Sequence, residues 1–135
     1  MSLVLRLFGL LLVIVFAWWA VQMVAAESGE VVIVTTTDAE GRPHETRLWI
    51  VDHAGFGWLR AGSDIAGWYQ RLSAVPEVEV ERGEQAATYL AQPQPWQRET
   101  INRLMVEKYG WAEWYIGLVF NRDRSIPIRL EIPED

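Results

Sequence analysis

The sequence predicts a mainly β protein with two helices, a six-stranded antiparallel barrel behind one N-terminal transmembrane helix. Three observations carry this expectation. Residues 7–26 carry no charge and are almost wholly apolar. Behind them, short β-branched or strictly alternating runs recur with turn residues between them. Two other stretches switch to the helical period, one of them closed by Pro76 and the other by Gly110.

Leu7 to Ala26 reads LFGLLLVIVFAWWAVQMVAA. As a helix it spans roughly 30 Å, the thickness of a bilayer core. Trp18 and Trp19 suit the interfacial end of such a span. The small residues Val24 to Ala26 leave a cleaved signal peptide as the rival reading. The apolar run is longer than a usual signal core, which favours the anchor. Residues 1–26 are therefore assigned to the anchor and 27–135 to a barrel domain. Arg6 precedes the span, and Glu27 and Glu30 follow it. The positive-inside rule then puts the domain outside the cytoplasm.

Val31 to Thr37 (VVIVTTT) is β-branched throughout and reads as a strand. A turn through Gly41 leads to a second strand, Glu45 to Val51. A tight turn over Asp52 to Gly55 leads to a third, Phe56 to Arg60, in an antiparallel meander. Ser63 or Asp64 is placed to cap a helix whose apolar face is Ile65, Trp68, Tyr69 and Leu72. Glu77 to Glu81 alternates apolar and acidic residues as a half-buried strand. Ala86 to Leu90 returns after Gly83. A second helix runs from Trp96 to Tyr109, with Pro95 near its first position. Trp111 to Phe120 reads equally as a short helix or a loop. Ile126 to Ile132 is the last strand, and Pro127 favours placing it at an edge.

Bulk composition narrows the function. The chain has 135 residues, half of them hydrophobic, with 8 Trp and no Cys. That length allows one modest core. The absence of cysteine removes disulfides and thiolate chemistry. The net charge is -6, and Arg6 is the one charge before residue 27, so the remainder carries -7. An acidic surface argues against nucleic acid as a partner. No Gly-rich phosphate loop, metal-ligand spacing or Ser-His-Asp arrangement is present. His44 and His53 lie at turns and read as turn polar groups, and Glu77, Glu79 and Glu81 as a solvated strand face.

One stretch offers more. Arg60, Ser63 and Asp64 lie where a strand meets a helix, and such a junction can hold a phosphate with free N–H groups and a guanidinium. Arg71 follows two turns along, and Arg47 lies on the second strand. An arginine at a strand end is expected to be exposed and of little consequence for folding. The competing reading is an ordinary capped helix with solvated arginines.

Trp68 to Val80 (WYQRLSAVPEVEV) resembles the W-Y-x-N-L-x-A-x-P-x-V-x-V stretch of the deazaflavin-dependent nitroreductase family. Ala61 to Ser63 looks like the segment before it, and Arg124 to Leu130 like the family's terminal strand. Arg71 stands where that pattern has asparagine. The resemblance spans roughly residues 31–132. It implies a flavin-binding split β-barrel of the pyridoxamine phosphate oxidase type. It implies a homodimer with flavin mononucleotide or a deazaflavin at the subunit interface, and oxidoreductase activity of the nitroreductase or quinone reductase kind. On that resemblance Arg60, Ser63 and Arg71 serve the phosphate, and the ring lies along the second strand near Arg47 and Trp49, with Trp68 in the helix motif. A second reading keeps the barrel without cofactor, as a membrane-tethered binding or assembly module. A third places another planar ligand, such as haem, in it.

Overall fold

In the computed structural model, residues 2–27 and 29–133 are described, with residues 23–27 described by their backbone alone. The first helix, α1, runs from Leu3 to Glu27. Its segment Leu3–Gln22 has a mean hydropathy of 2.4, is long and apolar enough to cross a membrane, and buries none of its most apolar window inside the protein. Apolar side chains cover its whole circumference, and a helix apolar all round needs an apolar surrounding. The possible cleavage residues Val24 to Ala26 are helical, but their side chains lie outside the description.

The strands are β1 Val31–Thr37, β2 Pro43–Trp49, β3 Val51–His53, β4 Phe56–Ala61, β5 Glu77–Arg82, β6 Gln85–Pro93 and β7 Ile126–Glu131. Three helices accompany them: α2 Gly67–Ala74, α3 Arg98–Tyr109 and α4 Trp111–Gly117. The strands form one antiparallel sheet in the order β2-β1-β5-β6-β7-β4-β3. Its two outer strands, β2 and β3, are consecutive in sequence, so the sheet curls round into a split barrel. β1 buries Val32, Val34 and Thr36, and β5 buries Val78 and Val80 while its glutamates face out, as the alternation requires.

The expected six strands are seven because Glu45 to Val51 is not one strand. Ile50 interrupts it, and its backbone turns to a helix rather than to a neighbouring strand. Its N–H donates to the Tyr109 hydroxyl at 3.0 Å, and its carbonyl accepts from Lys108 Nζ at 2.7 Å. The chain thereby leaves β1's side of the barrel and pairs with β4 instead. The expected two helices after the first are three, because Trp111–Gly117 resolves as α4. Ser63 and Asp64 do not cap α2. That helix starts at Gly67 behind Ala66, with no side-chain cap, and Ile65 is exposed rather than on its buried face. Nor is the last strand an edge. β7 lies between β6 and β4, and Pro127 is tolerated because the ladder to β6 ends beside it, at Pro93 opposite Ile128. The Pro127 carbonyl still accepts from Gln94 N at 2.9 Å.

Two packed clusters result. Trp68 and Leu72 of α2 close the barrel interior over Val32, Val34, Leu59, Val80 and Ile128. Ile101, Met105 and Tyr109 of α3 pack on Val51 and Trp58. Full burial of an aliphatic side chain such as Leu72 stabilises by about 1.5–3 kcal/mol.

A candidate ligand cleft with an arginine lining

A cleft of about 750 Å³ opens where β2, β4 and α2 face α4 and the loop after it. Its walls include Trp49 from β2, Trp68 from α2, and Ile116, Val119 and Phe120 from α4 and its continuation. Among the described residues, its charged lining consists of four arginines, Arg47, Arg60, Arg122 and Arg124. In a chain of net charge -6 this is a local reversal of sign. Low-dielectric walls around charge of one sign concentrate the field, so the cleft favours a ligand with an apolar body and an anionic part.

Five of the six residues proposed from the sequence line this one cleft: Arg47, Trp49, Arg60, Ser63 and Trp68. Arg71 is not among the lining residues. Its Nε donates to the buried Thr36 hydroxyl at 2.8 Å, tying α2 to β1. Trp49 stacks on Tyr109 with ring centroids 4.3 Å apart and planes 7° from parallel. His44 pairs with Asp38 at 2.8 Å across the β1–β2 turn. His53 accepts the indole N–H of Trp58 on its carbonyl at 3.0 Å. Neither histidine reaches the cleft lining.

Arg60 departs from its expected exposure. Its side chain is 8% exposed and that of its partner Glu113 is 3% exposed. Arg60 donates from Nη1 and Nη2 to the two Glu113 oxygens at 3.0 and 2.7 Å, a bidentate pair. Nη1 also donates to Asn102 Oδ1 at 3.2 Å. Arg122 approaches the same carboxylate, Nε to Oε1 at 2.7 Å. Burial first, and then the Arg60 charge, holds the Arg122 guanidinium below its ordinary value. One carboxylate against two guanidiniums leaves this trio with a net positive charge at the cleft wall. Arg124 is exposed and, among the described residues, its side chain has no ion-pair partner.

The residue missed from the sequence is Glu113, and with it Arg122. Arg60 lies 53 positions away, which no local periodicity can report. The available signal is that Glu113 is the one charge in Trp111 to Phe120, a run otherwise apolar. A charge in such a run that folds against the protein needs a buried counter-charge.

No protein-family model matches the sequence, and no curated protein matches it. The fold is nevertheless shared with solved structures. A pyridoxamine 5'-phosphate oxidase-like protein of Listeria innocua aligns over 84% of this chain and 90% of its own, with 13% identity and a TM-score of 0.59. A haem storage protein of Vibrio cholerae aligns over 82% of this chain and 87% of its own, with 18% identity and a TM-score of 0.59. An F420-H2-dependent reductase aligns over 73% of this chain and 92% of its own, with 25% identity and a TM-score of 0.55. Together these likenesses show a split β-barrel of the pyridoxamine phosphate oxidase type.

Proposed function

We propose that the chain is a membrane-anchored, homodimeric split-barrel oxidoreductase that holds a flavin or deazaflavin in the arginine-lined cleft. The observation that carries this reading is the lining itself, with aromatic walls from Trp49, Trp68 and Phe120 beside four arginines, two of which share the one Glu113 carboxylate. A planar ring joined to a phosphate has that complementary shape and charge. Arg47, Ser63 and Arg124 hold the anionic end, and Trp49 and Trp68 flank the ring. Arg60 and Arg122 add positive charge at the wall, held in place by the buried Glu113. Arg71 has no role in this assignment. The cofactor supplies hydride chemistry when bound, and the protein binds it, orients it and excludes water.

Residues 1–26 are the anchor in this reading and 27–135 the folded unit behind it. Arg6 before the span supports an orientation with the barrel outside the cytoplasm. Because the sequence has no cysteine, an impermeant thiol reagent applied to Glu40→Cys in oriented membrane vesicles reports the side directly. The mass of the full chain in detergent reads the dimer; a monomer there would mean a cleft completed by one subunit.

The cofactor reading is tested with flavin mononucleotide and the deazaflavin F420 titrated into wild type and Arg124→Ala. Removing one charge-assisted bond to phosphate costs about 1.5–3 kcal/mol, or roughly ten- to a hundredfold in affinity. The thermal melt stays unchanged, because Arg124 is exposed. A wild type that binds neither compound removes the cofactor reading and leaves a tethered binding module. An added haem that gives a Soret band, with no flavin binding, transfers the cleft to the third reading.

A further inference from the structure

The structure assigns a second membrane contact to this chain: α4 and its continuation, Trp111 to Phe120, lie in the headgroup region of the bilayer beside α1. This inference rests on the anchor reading above and goes beyond it. Three observations on different residues converge. The segment leaves Trp111, Trp114, Leu118, Val119 and Phe120 exposed, with Trp114 68% accessible. Its single charge, Glu113, is turned inward and neutralised by Arg60 and Arg122, so the outward face has no charge at all. α4 also packs on α1 itself, with Trp18 and Tyr115 ring centroids 5.2 Å apart.

The level of that contact decides the occupant. Trp18 lies near the C-terminal end of the apolar span, where amphipathic rings sit at the membrane interface. A helix held against that end is at the same depth. Its exposed indoles and aliphatic side chains then meet headgroups and upper acyl chains, as in an interfacial helix. The patch itself is uncharged, so a zwitterionic phosphatidylcholine bilayer suffices. Val119 and Phe120 belong to both the patch and the cleft wall, so the cleft opens at the lipid surface.

The test uses the full chain reconstituted in phosphatidylcholine vesicles. The cysteine-free sequence lets single nitroxide labels be placed at Trp114→Cys and Leu118→Cys. Leu12→Cys in α1 reports the anchor. Glu40→Cys, at the far end of β1 from α1, reports water. Collisions with oxygen and with a water-soluble nickel chelate are read by electron paramagnetic resonance. Labels at 114 and 118 are expected to lose chelate collisions and keep oxygen collisions, as at Leu12 and unlike at Glu40. If they meet the chelate as freely as Glu40 while Leu12 stays shielded, the anchor stands and the interfacial contact is overturned. Shielding from both agents with dipolar broadening between labels overturns it in favour of a second copy on the patch. A Leu12 label open to the chelate overturns the anchor reading, and this contact with it.

Discussion

At the scale of single residues, one carboxylate joins α4 to β4 and to the segment before β7. Glu113 is shared by Arg60 and Arg122 and lies almost wholly out of water. Desolvating one acid and two guanidiniums is expensive, and only good geometry with further hydrogen bonds offsets it. Here those bonds exist. Asn102 accepts from Arg60 and from the Ser125 hydroxyl, and donates from Nδ2 to the Arg122 carbonyl. Replacing Glu113 by glutamine keeps the shape and removes the charge, leaving two guanidiniums uncompensated. We expect a loss of about 3–5 kcal/mol in unfolding free energy. Arg60→Ala costs less, because Glu113 keeps Arg122. Urea denaturation of both variants checks the order; a Glu113→Gln protein within about 0.5 kcal/mol of wild type, the range of a surface change, would show the group contributes nothing. The sequence made Arg60 legible as a residue of interest but misjudged its surroundings. A strand-end arginine is exposed unless a distant acid meets it, and Glu113 arrives on an element whose type the sequence left open.

At the scale of elements, alternation and turn chemistry were readable and interruptions were not. The alternating run Glu77 to Glu81 became β5, and the β-branched run Val31 to Thr37 became β1, because each period matches one buried face. Glu45 to Val51 has the same β character throughout, yet the chain changes partners at Ile50. Its cause lies in Tyr109, on a helix end 59 residues later. Burial raises the pKa of that hydroxyl above its ordinary value, so it stays protonated. It takes the Ile50 N–H and donates to a backbone carbonyl, Glu30 O at 2.6 Å or Ile50 O at 3.0 Å. The approach is close enough to shape the α1–β1 link. Gly29 has a φ of +74°, and a Cβ there would sit 2.9 Å from the Tyr109 ring. Tyr109→Phe keeps the ring stacked on Trp49 and strands the buried Ile50 N–H, at a cost of about 1–3 kcal/mol. Amide exchange measured by nuclear magnetic resonance should show Ile50 losing protection beyond the global change. Equal loss at Ile50 and in β5 would mean the hydroxyl holds no particular joint.

At the scale of the whole molecule, charge falls into two groups: arginines line the cleft, and a network of two acids and two bases ties β3, β5, α3 and the residue before β1 together. Glu30 before β1, Asp52 on β3, Arg82 ending β5 and Lys108 on α3 form one network. Arg82 binds Asp52 at 2.8 and 2.9 Å and Glu30 at 2.9 and 3.0 Å, and Lys108 binds Glu30 at 2.6 Å. The hydrogen bonds from Arg82 are the leading cause that draws both carboxyls below their ordinary values of 4.5 and 3.8. A carboxylate whose pKa is lower folded than unfolded stabilises the fold at neutral pH. That contribution is whole above the ordinary values, fades as the pH falls below them, and is gone once the pH has passed the lower folded values. Removing the shared partner with Arg82→Gln should therefore lower Tm at pH 7. The gap between variant and wild type should close steadily below about pH 4.5, as the wild type loses the same contribution. Because these side chains are partly exposed, 1 M salt should narrow the gap at pH 7 as well. Thermal melts of both proteins from pH 7 to pH 2, each at low and high salt, test this. A gap that stays constant across that range would mean Arg82 acts through packing of its stem rather than through its two carboxylate partners.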